Sequence, residues 1–202
     1  MKLTDFCKIL GIGHPRTGTG YTAKLLQIWG LEVGHEKILN DGIVAWQLLK
    51  SKGPYPYLKN IFERPTFSCL IYNLRDPSES LPSIVFTENK HKSSYEFRSQ
   101  IYPLNGKNSI EDAIESVVKF DELARKLAPS FTYRIEDEDF LLFNYLKSKK
   151  KFKIKYKKLD KIVNRRKHKS FDEMIKKFGA PSEEHQTIIN VFAQKYGYNK
   201  VF

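Results

Sequence analysis

A glycine-rich turn set between an apolar strand and an apolar-faced helix constrains this chain more than any other feature. Phe6-Cys7-Lys8-Ile9-Leu10 reads as strand through to Gly11, and Gly13-His14-Pro15-Arg16-Thr17-Gly18-Thr19-Gly20 reads as a tight turn. Leu25, Leu26 and Trp29 then recur at helical spacing, and Gly30 stops the helix. A short strand through Leu31 and Val33 leads to Gly34-His35-Glu36, and Asp41 is expected to cap a helix containing Trp46, Leu48 and Leu49.

The most apolar strand is Thr66-Phe67-Ser68-Cys69-Leu70-Ile71-Tyr72, with the near-continuous hydrophobicity of a parallel sheet. It ends at Leu74-Arg75-Asp76-Pro77, where Asp76 can cap a helix whose first turn holds Pro77. Ser109 opens a long amphipathic helix with Ile110, Ala113, Ile114, Val117, Val118 and Leu127 on one side. Phe131–Ile135 reads as the last strand, followed by helices near Phe171–Phe178 and Ser182–Tyr196.

Strands alternating with helices predict an α/β fold with three layers, α/β/α, around a central parallel sheet of about four to five strands. The glycine-rich turn is then a P-loop-like phosphate-binding turn, and ligands bind beyond the carboxyl ends of the strands. The chain has no internal repeat, and its 202 residues fit one domain spanning residues 1–202.

A net charge of +12 suits a nucleic acid, an anionic membrane surface, an acidic glycan or a multiply charged nucleotide. Much of the excess lies between Lys147 and Lys169, where Asp160 is the only acid, and such a run reads as a solvated face beside a site. Cys7 and Cys69 each sit in an apolar run and read as reduced core thiols. The five histidines show no ligand spacing, so no metal is expected. No apolar run is long enough for a bilayer span. The first one is too short for a signal peptide and lacks a small-residue cleavage site. The expected location is the cytoplasm.

The turn has a physical reason to hold an anion. The first helical amides lack intrahelical partners and carry the positive end of the helix dipole. Gly13 and Gly18 stand five apart, as in a nucleotide-binding P-loop, but Thr19 replaces the usual lysine and the basic residue lies inside the turn at Arg16. No Lys-Ser/Thr pair remains to hold Mg²⁺.

Pro15-Arg16-Thr17-Gly18-Thr19-Gly20-Tyr21 resembles the 5′-phosphosulfate loop of the sulfotransferases that use 3′-phosphoadenosine 5′-phosphosulfate (PAPS). Leu74-Arg75-Asp76-Pro77 with Ser83 resembles that family's 3′-phosphate segment, where an Arg at a strand end and a Ser eight residues on grip one phosphate. Read without the resemblance, Arg75 can pair with Asp76 or Glu79, and Ser83 can be an exposed helix residue. Tyr133-Arg134-Ile135-Glu136-Asp137 is similar to the family's Tyr-Arg-hydrophobic-Glu-Asp strand end. Asn164-Arg165-Arg166-Lys167-His168 is similar to a basic segment that several bacterial members carry before a late helix. The glycine-containing basic loop of the family's cytosolic steroid and phenol enzymes is not recognisable, and Arg165 and Arg166 are the candidates to replace it at the cofactor. The chain departs from the family at Gly20, where a hydroxyl residue is usual, and at Tyr21, where many members stack a Trp on adenine.

The resemblance implies sulfuryl transfer from PAPS to a hydroxyl acceptor, a carbohydrate or other small molecule, leaving 3′,5′-adenosine bisphosphate without a metal. Pro15 to Tyr21, Arg75 and Ser83 would bind the cofactor, and Arg16 would stabilise the departing phosphate. Glu36 is the first candidate for the base, because several carbohydrate-acting members place a catalytic Glu after the second strand. His35 is the rival, with an imidazole suited to proton transfer near neutrality. Side-chain alternation would point only one of the two inward. Acceptor contacts are expected from less regular segments: Gly53 to Pro65, and His91 to Pro103 with Tyr95, Phe97, Arg98 and Tyr102.

Two other classes compete. A P-loop kinase would need a lysine and a metal-holding hydroxyl at the turn, and activity with Mg-ATP would favour it. A non-enzymatic polyanion-binding protein would use the Lys147–Lys169 run, and heparin or DNA affinity independent of the turn would favour that. No specific nucleic acid is expected as a partner.

Overall fold

The computed structural model describes residues 9–58, 61–104, 109–149, 152–159 and 169–202. Among these residues the chain forms an α/β fold with one five-stranded parallel sheet and seven α-helices, compatible with a three-layer α/β/α arrangement. No described helix is long and apolar enough to cross a membrane.

The chain divides into two compact units. The first holds the described residues through Leu74 and those from Ala124 to Leu159, and contains the whole sheet. Strand β1 (Ile9–Ile12) is buried throughout and leads through the turn into helix α1 (Thr19–Ile28). The helix ends where Gly30 donates its N–H to the Gln27 carbonyl at 3.0 Å and Leu31 donates to Leu26 at 3.1 Å. These paired bonds satisfy the last helical carbonyls. Strand β2 (Val33–His35) follows.

Asp41 caps no helix. Strand β3 (Gly42–Val44) and a 3-10 turn (Trp46–Leu49) stand where a longer helix was expected. The Asp41 carbonyl accepts the Ile9 N–H at 3.0 Å, and its carboxylate accepts the Glu32 N–H at 2.9 Å. Ile43 and Val44 are β-branched and fully buried, and their burial in the sheet outweighs the capping signal. Strand β4 (Cys69–Leu74) begins three residues later than its apolar run, and β5 (Phe131–Arg134) completes the sheet in the order β2-β3-β1-β4-β5.

Helix α5 (Asp139–Ser148) buries Leu142, Phe143 and Leu146 in the same core as Trp29, Val33, Ile71 and Tyr133. An extended segment, 152–159, is anchored on that core by Phe152 and Leu159. Lys155 donates its N–H to the Trp29 carbonyl at 3.1 Å, and Trp29 Nε1 donates to the Lys157 carbonyl at 2.9 Å.

The second unit holds Arg75–Leu123 and the described residues from Lys169 onward. Helix α2 (Pro77–Phe86) starts as expected, with the Asp76 carboxylate accepting the Ser78 N–H at 2.8 Å. The segment expected to be irregular is instead helix α3 (Lys92–Ile101), because Ser94, Phe97 and Arg98 fall on one buried face at helical spacing. Arg98 is fully buried and donates to Ser116 Oγ at 2.7 Å and Asn89 Oδ1 at 3.0 Å. Tyr102 is buried beside them, so these residues belong to the unit's interior.

Helix α4 (Ser109–Lys126) carries the chain from the second unit back to the first. Helix α6 (Phe171–Phe178) opens on a reciprocal cap between Ser170 and Glu173, and Phe178 packs 5.7 Å from Phe86 of α2. Helix α7 (Glu183–Lys195) is tied to α4 by Lys195, which donates to Asp121 at 2.8 Å.

Candidate functional site

The topology selects one rim. Strand β1 lies between β3 and β4, so the chain runs to one side of it first and to the other side later. In an open parallel sheet such a reversal marks the crevice where ligands bind, beyond the strand ends. The turn that leaves β1 there is the glycine-rich segment.

The register explains its first glycine. Ile12 pairs with Tyr72, so Gly13 stands across from Asn73, which is fully buried. A Cβ on Gly13 would lie 2.4 Å from Asn73 Nδ2, closer than any side chain tolerates. Asn73 in turn donates to the Thr17 carbonyl at 2.8 Å and reaches Thr17 Oγ1 at 3.3 Å. Its Oδ1 is buried without a hydrogen-bond partner. Asn73 was not singled out from sequence, although an amide ending an apolar strand is the kind of exception that marks a structural or functional demand.

The turn is wound tightly upon itself. Thr17 donates both its N–H, at 3.0 Å, and its hydroxyl, at 2.7 Å, to the His14 carbonyl. His14 is buried and donates from Nδ1 to the Pro15 carbonyl at 2.7 Å. Arg16 has a left-handed backbone, φ 75°, and Gly18 follows at φ 94°. At Gly18 a Cβ would also lie 2.4 Å from Ile135 Cδ1, so the β5 end presses on the turn. A non-glycine residue held left-handed stores strain of order 1–3 kcal/mol, and such outliers cluster at functional sites.

Thr19, Gly20 and Tyr21 form the first turn of α1, which contains no acidic residue. Their amides are the ones that a helix start leaves without intrahelical acceptors, and none of the three residues brings a carboxylate of its own to the positive end of the helix dipole. Tyr21 donates its hydroxyl to the Asp139 carboxylate at the start of α5, and its ring packs on the unit's core. Burial and that hydrogen bond push its hydroxyl well above the ordinary tyrosine range. Thr22 Oγ1 lies 2.7 Å from the Tyr133 hydroxyl, and burial likewise keeps Tyr133 protonated. Thus the Tyr133-Arg134-Ile135 segment supports the turn through Tyr133 and Ile135. Arg134 instead pairs with Asp137 at 2.8 Å and Glu138 at 3.4 Å.

Both candidate bases stand on the same rim, at the end of β2. His35 pairs with Val44, and its Nε2 lies 3.2 Å from Thr19 Oγ1. The residue keeps an exposed side, yet the surrounding protein removes enough water from the ring to hold the imidazole below its ordinary range. The neighbouring Glu36 carboxylate opposes that shift more weakly. Glu36 departs from strand alternation because its backbone is left-handed, φ 53°. Its Oε1 accepts from Trp46 Nε1 at 3.1 Å and Gln47 Nε2 at 2.9 Å. His35 therefore faces the turn while Glu36 is gripped by the 3-10 segment after β3.

In the second unit, Arg75 precedes the cap of α2 and pairs with Glu79 at 3.3 Å across one helical turn, while Asp76 is used as the cap. Ser83 is buried rather than exposed, and its carbonyl accepts the Thr87 N–H at 3.1 Å. Arg165 and Arg166 lie outside the described residues, as do Cys7 and His168. Cys69 is a buried free thiol. Between Gly53 and Pro65, Tyr55 is buried with its hydroxyl on the Lys50 carbonyl, whereas Tyr57 and Phe62 are exposed. Among the described residues no group of three or more His, Cys, Asp or Glu side chains is placed to hold a metal ion. No protein-family model, curated protein or solved structure matches the chain.

Proposed function

We propose that this chain is a sulfotransferase that takes a sulfuryl group from PAPS and delivers it to a hydroxyl on a carbohydrate or other small molecule. The observation that carries the reading is the turn from Gly13 to Gly20. It sits at the reversal point of the sheet, is strained at Arg16, and opens a helix whose first turn contains no acidic residue. Those residues suit an anion of high charge density, and the Gly13–Asn73 contact fixes where the backbone would meet it.

PAPS supplies an activated sulfuryl group and a phosphate leaving group. The α1 amides, Thr17, Thr19 and Arg16 would bind its 5′ side, with Pro15, Gly18 and Gly20 shaping the backbone and Tyr21 flanking it. Arg16 would hold negative charge as it grows on the departing oxygen. The 3′-phosphate is assigned to Arg75 and Ser83. Glu36 would take the acceptor's hydroxyl proton on its carboxylate, held in place by Trp46 and Gln47. His35, kept neutral by its surroundings, would orient Thr19 or serve as the base itself. The nucleotide and the acceptor would be its partners, and the cytoplasm is its proposed location.

Thermal unfolding with 3′,5′-adenosine bisphosphate, without added metal, tests this. A hundredfold excess over Kd should stabilise the fold by about 2.7 kcal/mol. No shift with the bisphosphate alongside a clear shift with Mg-ATP would replace the reading with a kinase.

A further inference from the structure

The first unit carries a second charged feature that sulfuryl transfer does not use. From Phe140 to Leu159 the described residues include six lysines, Lys147, Lys149, Lys153, Lys155, Lys157 and Lys158, all exposed, and no acid. The acids just before them are occupied: Asp137 and Glu138 pair with Arg134, and Asp139 accepts from Tyr21.

The side chains of the extended segment alternate over its first half, where Phe152 and Ile154 turn toward the core and Lys153 and Lys155 stand out in solvent. Tyr156, Lys157 and Lys158 are then all exposed, and Leu159 returns to the core. A lysine row alone would be an ordinary solvated face. What distinguishes this one is the apolar surface beside it. Phe140 is 54% exposed, Leu141 53% and Tyr156 44%, three of the six exposed large hydrophobic residues among those described. Phe140 and Tyr156 are held together, because their rings meet edge-on at 5.4 Å and Tyr156 also meets Phe143 at 5.1 Å, and Leu141 follows Phe140 on α5. Backbone hydrogen bonds to Trp29 fix the lysine-bearing segment in place.

We propose that α5 and the 152–159 segment form a docking surface for an anionic phospholipid bilayer. Headgroup phosphates and carboxylates would meet the lysines, and Phe140, Leu141 and Tyr156 would enter the interfacial layer, where aromatic and aliphatic side chains are favoured. A soluble polyanion would satisfy the lysines but give the exposed apolar side chains no partner. The surface carries no span, so attachment is reversible and weakened by salt.

Sedimentation of the full chain with vesicles of phosphatidylcholine, alone and with about a third phosphatidylserine, tests this. Binding is expected only to the anionic vesicles. Replacing Lys153, Lys155 and Lys157 with Gln should weaken it about a hundredfold, at roughly fivefold per lysine. Leu141→Ser, which alters an exposed position, should weaken it roughly tenfold. Circular dichroism of both variants establishes that the fold is intact. Equal binding to neutral vesicles, no binding to anionic ones, or an unaffected lysine variant would overturn the proposal. An unaffected Leu141→Ser would also overturn it, in favour of a soluble polyanion such as heparin, whose capture needs only the lysines.

Discussion

Asn73 Nδ2 donates to the Thr17 carbonyl at 2.8 Å, joining the end of β4 to the turn that leaves β1. The same side chain fills the space where Gly13 has no Cβ, so one amide fixes both ends of the turn. Gly13→Ala should destabilise the fold by about 1–3 kcal/mol through overpacking. Asn73→Ala should cost about 1–3 kcal/mol by leaving a buried carbonyl unpaired. The double variant should lose less than the sum, because Asn73→Ala clears the space that the methyl added by Gly13→Ala needs. Denaturant unfolding of the four proteins measures the coupling. Strict additivity would show that the two residues do not constrain one another.

Arg75→Ala and Ser83→Ala are expected to weaken binding of 3′,5′-adenosine bisphosphate while leaving 5′-AMP nearly unchanged. The arginine should matter more, at roughly 1.5–3 kcal/mol for a charge-assisted contact against about 1 for a neutral one. Glu79→Gln removes the carboxylate that Arg75 now meets at 3.3 Å, and should tighten the bisphosphate slightly. Calorimetric titration of the variants against both nucleotides decides. Equal losses for the two nucleotides would mean that Arg75 and Ser83 support the fold or the adenosine, and not the 3′-phosphate.

Arg16 allows function and stability to be separated. Its φ of 75° strains any side-chain-bearing residue. Arg16→Gly should therefore be more stable than Arg16→Ala by about 1 kcal/mol. Both should lose nucleotide affinity and turnover alike, because both lack the guanidinium. Identical stability of the two variants would argue against strain at this position.

Glu36→Gln should retain nucleotide affinity and lower turnover by about 10²–10⁴, the usual contribution of a positioned base. The assay requires an acceptor, found by screening radiolabelled PAPS against sugars, glycolipids and phenols. Full activity in Glu36→Gln would pass the role to His35, and His35→Ala would then show the loss.

His35 should also leave a mark on stability. Its imidazole is held below its ordinary value of 6.5, chiefly by loss of water around the ring, so the unfolded chain binds the proton more readily than the fold does. Stability should fall as pH drops from above 6.5 toward the lowered value in the fold, and the loss is complete below that value. His35→Gln should flatten this acid-side slope. Midpoints of denaturant unfolding across the pH range report it. An unchanged slope would show that other groups cause the loss.

Local chemistry alone determined the elements whose signals and tertiary environment agree. Gly30 ends α1 because the chain needs the paired carbonyl bonds there, and Asp76 with Pro77 starts α2 because both residues suit a helix entrance. The Gly13–Gly20 turn was legible for the same reason, as glycine spacing and a following helical pattern are local features. Where two local signals competed, packing decided. Asp41 is a good cap, but Ile43 and Val44 are buried in the sheet, so β3 forms and no helix starts there. Lys92–Ile101 looked irregular by composition, yet its buried face holds Phe97 and a wholly interior Arg98 whose partners, Ser116 and Asn89, come from elsewhere in the chain. The site's finer geometry was decided in the same way. Strand alternation would have sent only one of His35 and Glu36 toward the site. The left-handed backbone at Glu36 and the donors on Trp46 and Gln47 let each side chain find its own partner. Asn73 carried no motif, because its importance comes from the register that sets it opposite Gly13. Such a pairing joins residues sixty positions apart, and only burial and sheet register bring them together.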